Sequence, residues 1–530
     1  MKIDAASASV LSREAMRDLD AATIASGTPS LELMERAGAA IAAALEDREL
    51  HAVELPERPR LLVVAGRGNN GGDGFVVARL LAGRGWQCTV GLVEGDPAPG
   101  GDAARNLEEW TRVGGRTLSI DETRRLIDEG APGHDLVLDA IFGTGLVRPV
   151  EDPARTIIES LNSCGLPVVA ADISSGLGAD SGTPLGAAVR CRATVTIGAA
   201  KPGLFLADGP DFAGRVRVVD IGLCELDAAG VVRQGIVLDA ATTAGSLPRL
   251  VPLSHKGSRG HVFIVAGSRG KTGAAILAAR GALRSGAGLV TVVGVADVQA
   301  AVSRALPEAM TLSFPADDEG RLREDAADRI AAAVAEADAI VVGPGIGRGP
   351  GPDAVVAALL AVARPLILDA DALNAVASWD GPRRHAAFGA RSAAGSPKVI
   401  LTPHPGEMAR LVATTGARVQ LSRKVFADKI AQELGCVVVL KGAATIVSDG
   451  VTTAFNTTGN PGMATGGSGD VLAGMLGALA ARLAPLEAAR LGVYVHGMAG
   501  DALYCGGRSG FLASEIADAV PAALASRQPK

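Results

Sequence analysis

From residue 60 onward the chain alternates short runs of β-branched and aliphatic residues with longer Ala- and Leu-rich stretches. The runs RLLVVAG (60–66), CTVGLVE (88–94), DLVLDAI (135–141), PVVAADI (167–173), ATVTIGA (193–199) and RVRVVDI (215–221) are almost continuously apolar. That character predicts strands buried on both faces of a parallel sheet, crossed over by helices. The rhythm restarts with GHVFIVAG (260–267). It continues through GLVTVVGV (288–295), ADAIVVGPG (337–345), RPLILDADA (364–372), KVILTPHPG (398–406) and CVVVLKG (436–442). Two successive α/β domains follow, behind an N-terminal helical stretch. Periodicity lapses over 226–255, which places the boundary near 230–245 and the domains at 1–230 and 240–530. A second irregular stretch, 378–398, reads as a surface insertion, and no short internal repeat is present.

Composition narrows the function. The 530 residues carry 51 Lys and Arg against 57 Asp and Glu, a formal charge of -6. A nucleic-acid binder needs a strongly basic face, which this balance does not supply. Aromatic residues make up only 3%, too few for base-stacking platforms, whereas 48% apolar content excludes general disorder. The 68 glycines suit an enzyme with many tight strand-to-helix turns. The N-terminus lacks the apolar core of a signal peptide, and no charge-free apolar stretch reaches the roughly 18 residues of a spanning helix. The six Cys form no CxxC pair and read as reduced, mostly buried thiols. A cytoplasmic enzyme of small molecules is expected, without a membrane or nucleic-acid partner, and as a homo-oligomer.

Parallel sheets place ligands at the carboxyl ends of their strands, so strand-end motifs are the site candidates. In GRGNNGGDG (66–74), Gly66, Gly68 and Gly71 satisfy GxGxxG, and Glu94 ends the next strand. Alone this fits a dinucleotide site, but the loop is longer and more polar than that fingerprint requires. Its Asn pair supplies carbonyl oxygens for a hard cation, amide groups for a ligand, or braces for an elaborate turn. The helix would follow at FVVARLLAGRG. Three further strand ends present Asp139 and Arg148, then Asp172 and Ser175, then Lys201, one of only nine lysines.

LSREAMRDLD, SLELMERAG, GNNGGDG, LDAIFGTGLVRPV, DISSG and AAKPG occur in one order across nearly all of 1–225. Together they closely resemble the NAD(P)HX epimerase domain, the YjeF N-terminal domain. The resemblance implies a Rossmann-like α/β/α domain that interconverts the R and S hydrates of a reduced nicotinamide dinucleotide. Substrate contacts would come from Asn69, Asn70, Gly71, Gly72 and Asp73, from Gly143, Thr144, Gly145, Leu146, Val147, Arg148 and Pro149, and from Asp172. Asn70, Asp139 and Ser175 would hold a potassium ion. Asp172, with Lys201, is the expected proton-handling pair during ring opening at the hydrated carbon. Two positions depart from the family: Ser174 and Ala200 each stand where it usually has proline, which loosens the backbone.

In the second half, GSRGKTGAA (267–275) fails the P-loop spacing because Val265 occupies the required glycine position. The informative segment is NTTGNPGMATGGSGDVLAGMLGALAARLA (456–484), a Gly-rich loop entering a helix near Asp470. Free amides of Gly467, Ser468 and Gly469 at a helix start suit a transferring phosphoryl group. Asp470 there is a general base for a substrate hydroxyl or a helix cap. LKGAAT (440–445) brings Lys441 toward a nucleotide's phosphates. LTPHPGE (401–407) offers His404 and Glu407 to substrate or to a magnesium-bound water.

The GxGD arrangement resembles ribokinase-like small-molecule kinases. With HKGSRGHVFIVAGSRGKTGAAILAARGALRSGAGLVTV (255–292), VVGPGIG (341–347), TPHPGE and LKGAAT, most of 250–525 is similar to ADP/ATP-dependent NAD(P)HX dehydratase, the YjeF C-terminal domain. That family implies a ribokinase-like α/β/α fold. Substrate would meet Ala274, Gly345, His404 and Asp470. The nucleotide would meet Lys441, Gly442, Ala443, Ala444 and Thr445 and the amides of Gly467, Ser468 and Gly469. Lys271 stands where the family often has Met, and 378–398 looks expanded. The implied chemistry is Mg²⁺-assisted phosphorylation of the ring hydroxyl, then loss of phosphate to restore NAD(P)H. The Ala-, Gly- and Arg-rich composition is of a bacterial kind, for which the family implies ADP, with ATP the alternative. The competing readings are a Rossmann dehydrogenase fused to a vitamin or sugar kinase, and a binding or scaffolding protein with a dead epimerase half.

Overall fold

The computed structural model describes residues 3–5, 9–245, 247, 255–504, 507 and 509–527. Cys505 and part of the 226–255 stretch lie outside these residues. The chain forms two compact units, Met1–Val237 and Leu238–Lys530.

In the first unit eight parallel strands run in the order Ile3–Ala5, Arg215–Val219, Ala193–Ile197, Val168–Ala171, Leu136–Ala140, Arg60–Ala65, Gln87–Leu92 and Arg116–Leu118. All six apolar runs of this half are strands. Their continuous apolar character has a simple cause: Leu61, Val63 and Ala65 enter one core, while Leu62 and Val64 enter the core on the opposite face. The two strands without a sequence signal lie at the sheet edges and are three residues long. In Arg116–Leu118 only Leu118 is buried.

In the second unit the parallel order is Met310–Ser313, Leu289–Gly294, His261–Val265, Ala339–Val342, Leu366–Leu368, Ile400–Leu401 and Val437–Leu440. Ile446–Ser448 and Thr453–Asn456 then continue it antiparallel. Both units are therefore α/β, with their loops of interest at strand carboxyl ends.

Several local expectations change. GNNGGD is not a loop before a helix; the helix Asn69–Gly83 begins there, with Gly68 at its cap. The reason is packing: a Cβ on Gly71 would stand 1.8 Å from the Gly66 carbonyl oxygen, so the glycines let this helix start press onto the strand end. The 378–398 stretch contains a regular helix, Gly381–Ala393, whose cap Asp380 accepts from Arg383 N and whose first turn holds Pro382. Its apolar face is small, because the buried Arg391 does much of the anchoring by donating to the carbonyls of Leu360, Val362 and Arg364. Within 226–255 a strand forms at Gly235–Leu238. The described cysteines are free thiols, of which Cys191 and Cys436 are buried and Cys88, Cys164 and Cys224 only half-buried. Among the described residues no helix is long and apolar enough to cross a membrane.

Candidate functional site

The carboxyl ends of the central first-unit strands open into a cavity of about 600 Å³. Asn69, Asn70, Asp73, Glu94, Gly143, Thr144, Gly145, Leu146, Arg148, Asp172 and Lys201 all line it. Gly71 and Gly72 do not; Gly71 faces the Gly66 carbonyl at the strand end and Gly72 the Met34 side chain. Val147 is 65% exposed, and Pro149 is likewise turned away from the cavity.

At its base Lys201, 1% exposed, donates to Asp172 Oδ1 at 2.5 Å, to Thr196 Oγ1 at 2.9 Å and to the Ile197 carbonyl at 2.9 Å. Asp172 adopts φ 66, a left-handed conformation costly for a residue with a Cβ and typical of functional strand ends. Two more carboxyls share this space. Burial, with the negative charge of Asp172 added to it, raises Asp73 well above the usual carboxylate range. Burial likewise lifts Asp20, also in the cavity wall, to about 6, although Lys201 pulls the other way. The site thus sets the Asp172–Lys201 ion pair beside a carboxyl that burial biases toward its protonated form, an arrangement suited to acid–base chemistry.

Beside it, Asp139 receives Ser175 N at 2.8 Å and Ser175 Oγ at 2.5 Å, and Phe142 N donates to Ser175 Oγ at 2.8 Å. Burial still raises Asp139 to about 6. The Asn70 side chain lies against Gly143 with neither Oδ1 nor Nδ2 partnered. Both family departures are absorbed locally: Ser174 Oγ donates to the Phe212 carbonyl at 3.0 Å, and Ala200 N donates to the Ser9 carbonyl at 3.2 Å.

In the second unit the helix Ser468–Ala480 starts two residues before Asp470, with Gly467 at the cap in the left-handed region (φ 90). Asp470 is therefore not the cap residue. Lys441 Nζ would be 3.2 Å from a Cβ on Gly469, so the ammonium sits against the first turn of this helix, in which Ser468 N donates to the Thr465 carbonyl at 3.4 Å. It donates to Asp369 Oδ1 at 2.8 Å and lies 3.9 Å from Glu407 Oε2. Burial opposes its charge, but Asp369, Glu407 and Asp470 together hold Lys441 above its ordinary value. Burial first, and then repulsion from Asp369, lifts Asp470 to about 7, where a general base works best at neutral pH.

Ala274 and Gly345 are brought together, 3.0 Å from Ala274 Cβ to the Cβ position of Gly345. His404 caps the helix Pro405–Leu411: its Nδ1 accepts from Gly406 N at 2.9 Å, which leaves Nε2 3.4 Å from Glu407. The loop of Gly442, Ala443, Ala444 and Thr445 is pinned from below by Arg423, 3% exposed, which donates to the carbonyls of Leu440 and Ala443.

Comparison with known proteins now decides the family. A family model described as YjeF-related protein N-terminus matches residues 30–203, and one described as NAD(P)H-hydrate dehydratase matches residues 262–522. The chain is 40% identical over 504 residues to the bifunctional NAD(P)H-hydrate repair enzyme Nnr of Moorella thermoacetica, covering 94% of this chain and 92% of that protein. The chain belongs to the bifunctional NAD(P)H-hydrate repair enzyme family. The Salinibacter ruber member is 39% identical over 93% of this chain and 91% of its own. Among solved structures, the ADP/ATP-dependent NAD(P)H-hydrate dehydratase from Bacillus subtilis, co-crystallised with ATP and Mg²⁺, is 30% identical. It covers 55% of this chain and 98% of its own at a TM-score of 0.46.

Four further residues of this repair-enzyme chain join the sites. Asp369 ends the strand run RPLILDADA, the same kind of position as Asp139 and Asp172, and could have been read on that ground. Asp20 lies inside LSREAMRDLD, where helical spacing gives it no special status. Arg423 and His496 carry no local signal. His496 is fully enclosed beside Ser468, and burial lowers it to about 4, so it is neutral.

Proposed function

We propose that the chain epimerises the R and S hydrates of NADH and NADPH in its first domain (1–230). Its second domain (240–530) dehydrates the S hydrate with ADP, or ATP, as the phosphoryl donor. The observation that carries the reading is Asp470. It is a carboxyl lifted to about 7 at a helix start, beside a lysine held charged and the first turn of a helix whose positive end can receive a phosphoryl group.

For dehydration, Asp470 takes the proton of the ring hydroxyl as the hydroxyl oxygen attacks the terminal phosphorus of the nucleotide, and the bridging phosphorus–oxygen bond breaks to release AMP from ADP, or ADP from ATP. Lys441 balances charge on the phosphates, and the amides of Gly467, Ser468 and Gly469 face the transferring group. The carbon–oxygen bond of that ester then breaks, inorganic phosphate leaves with the bonding electrons, and the neighbouring ring carbon loses a proton to solvent, which restores the dihydronicotinamide. Mg²⁺ bound with the nucleotide would neutralise phosphate charge, and Glu407, buried beside Lys441, is the carboxylate placed to hold its water shell. Ala274, Gly345 and His404 form the substrate wall, and Lys441, Gly442, Ala443, Ala444 and Thr445 the nucleotide wall.

For epimerisation, Asp172 accepts the hydroxyl proton as the carbon–nitrogen bond of the hydrated ring opens. Asp73, whose burial favours the protonated form, can supply a proton to the opening ring and take it back on closure. Lys201, donating to Asp172 Oδ1, holds that carboxylate in place. Asn70, Asp139 and Ser175 fit a potassium ion: a buried carboxylate lacks a cation, and a buried amide oxygen lacks a partner. Such an ion would fix the Gly143–Pro149 loop electrostatically. Free thiols at the described cysteines fit a cytoplasmic, reducing setting.

The test is the formation of NADH from S-NADHX with ADP and with ATP. The intact protein should form NADH and an Asp470→Ala variant should not. Equal rates in the two would refute the assignment of Asp470.

A further inference from the structure

A second cavity, of about 630 Å³, lies in the second unit and is lined by none of the residues assigned above to substrate or nucleotide. Its walls nevertheless grow out of the substrate site. The loop through Gly345 continues to Gly347 and Arg348; the helix Asp371–Ser378 follows the strand that ends before Asp369; the helix capped by His404 carries Arg410. A short chain of contacts joins the two places. The Cβ position of Gly345 is 3.0 Å from the Lys271 carbonyl oxygen, Lys271 Nζ donates to Asp371 Oδ2 at 3.3 Å, and Gly347 N donates to the same oxygen at 3.0 Å.

The charge in this cavity does not cancel. Arg383 is committed: it pairs with Asp353 at 2.6 Å and lies 4.3 Å over the ring of Trp379, which is 5% exposed. Asp371 is committed to Lys271 and Gly347. Arg348 reaches Asp371 only at 3.9 Å and is 64% exposed. Arg410 donates through Nε to the neutral Asn374 Oδ1 at 2.7 Å, and among the described residues no carboxylate lies within ion-pair distance of it. Two guanidinium groups with spare donors therefore face a concave space within the usual size range of ligand pockets.

We infer that this cavity takes the adenosine half of the dinucleotide substrate, with Arg348 and Arg410 holding its phosphate groups. The inference rests on the reading that the hydrated ring lies at Asp470. A dinucleotide carries its pyrophosphate and second nucleoside beyond the reacting ring, and the free-donor arginines match phosphate oxygens in geometry and charge. The cosubstrate nucleotide is served separately, by the Lys441 loop and the Gly467–Gly469 amides. Contacts so far from the reacting carbon bind ground and transition state alike, so they act on KM and leave kcat alone.

The experiment compares the full-length wild type with Arg348→Gln, Arg410→Gln and Arg410→Lys. Their substrates are S-NADHX, S-NADPHX and the hydrated mononucleotide S-NMNHX, which lacks adenosine. Each Gln variant should raise KM for the dinucleotides about tenfold, the size of one charge-assisted contact, with kcat and the KM for ADP within about twofold. Arg410→Lys should recover part of the loss, and the mononucleotide should show the same KM in every variant. Loss confined to S-NADPHX assigns the arginines to the 2′-phosphate, and equal loss for both dinucleotides assigns them to the pyrophosphate; either upholds the cavity. Unchanged dinucleotide KM, an equal loss for the mononucleotide, or a raised KM for ADP instead would overturn it. Failure of the wild type itself to form NADH would instead refute the Asp470 reading, and this inference with it.

Discussion

Lys441 Nζ donates to Asp369 Oδ1 at 2.8 Å, and Thr402 Oγ1 donates to the same oxygen at 2.6 Å. Asp369, 1% exposed, both steadies the lysine and, by repulsion, helps raise Asp470. An Asp369→Asn variant removes both effects at once. We expect kcat to fall about ten- to a hundredfold, as for loss of a positioned electrostatic group. The acidic limb of kcat/KM, near pH 7 in the wild type, should move to lower pH because Asp470 loses a negative neighbour. A pH profile checks this, and a limb that stays in place would break the proposed coupling.

The strands around these groups were legible because a buried parallel strand must be apolar on both faces. The Gly-rich motifs were legible because close backbone approach admits no other residue. Asp369 belongs to the same class of strand-end carboxylate as Asp139 and was visible in principle. Asp20 and Arg423 were not: each acts through neighbours far away in sequence, and nothing in a helical pattern distinguishes an acid aimed into a cavity from one aimed at water. The helix at Gly381–Ala393 was hidden for a related reason, since a buried arginine bound to carbonyls replaces much of the apolar stripe that would have marked it.

Asp470 should cost the fold stability above neutral pH. Its folded pKa of about 7 lies above the ordinary 3.8, so the folded state binds the proton more tightly than the unfolded state. Stability therefore declines as pH rises from about 4 to about 7 and stays reduced above that. Asp470→Asn removes the penalty, on the order of 4 kcal/mol. Thermal unfolding should show a higher Tm for the variant at pH 8 and nearly none of that gain at pH 4.

Lys201 and Asp172 form a buried ion pair, so removing one partner should cost more than removing both. Lys201→Met leaves Asp172 uncompensated and should destabilise by about 3–5 kcal/mol. The double variant Lys201→Met with Asp172→Asn should recover part of that loss in urea unfolding. A double variant less stable than the single one would contradict the pairing.

The helix that begins beside Asp470 is placed by close contact with the helix Thr272–Arg284. A Cβ on Gly474 would stand 1.8 Å from the Ala278 carbonyl oxygen. Gly474→Val must separate these helices, at a cost of about 2–3 kcal/mol. It should also raise KM for S-NADHX, because Ala274 shares the displaced helix. Steady-state kinetics and a Tm measured on the same preparation test both effects.

The central claim is that one chain both epimerises and dehydrates. Pure R-NADHX with ADP, followed by NADH absorbance, tests it most directly in the wild type, Asp172→Asn and Asp470→Asn. The account predicts NADH from the wild type at a rate that Asp172→Asn reduces to the spontaneous background, although Asp172→Asn still converts S-NADHX. It predicts that Asp470→Asn forms no NADH from either epimer yet still equilibrates R with S. Wild-type protein that converts S-NADHX but accelerates R-NADHX no more than Asp172→Asn does would contradict it.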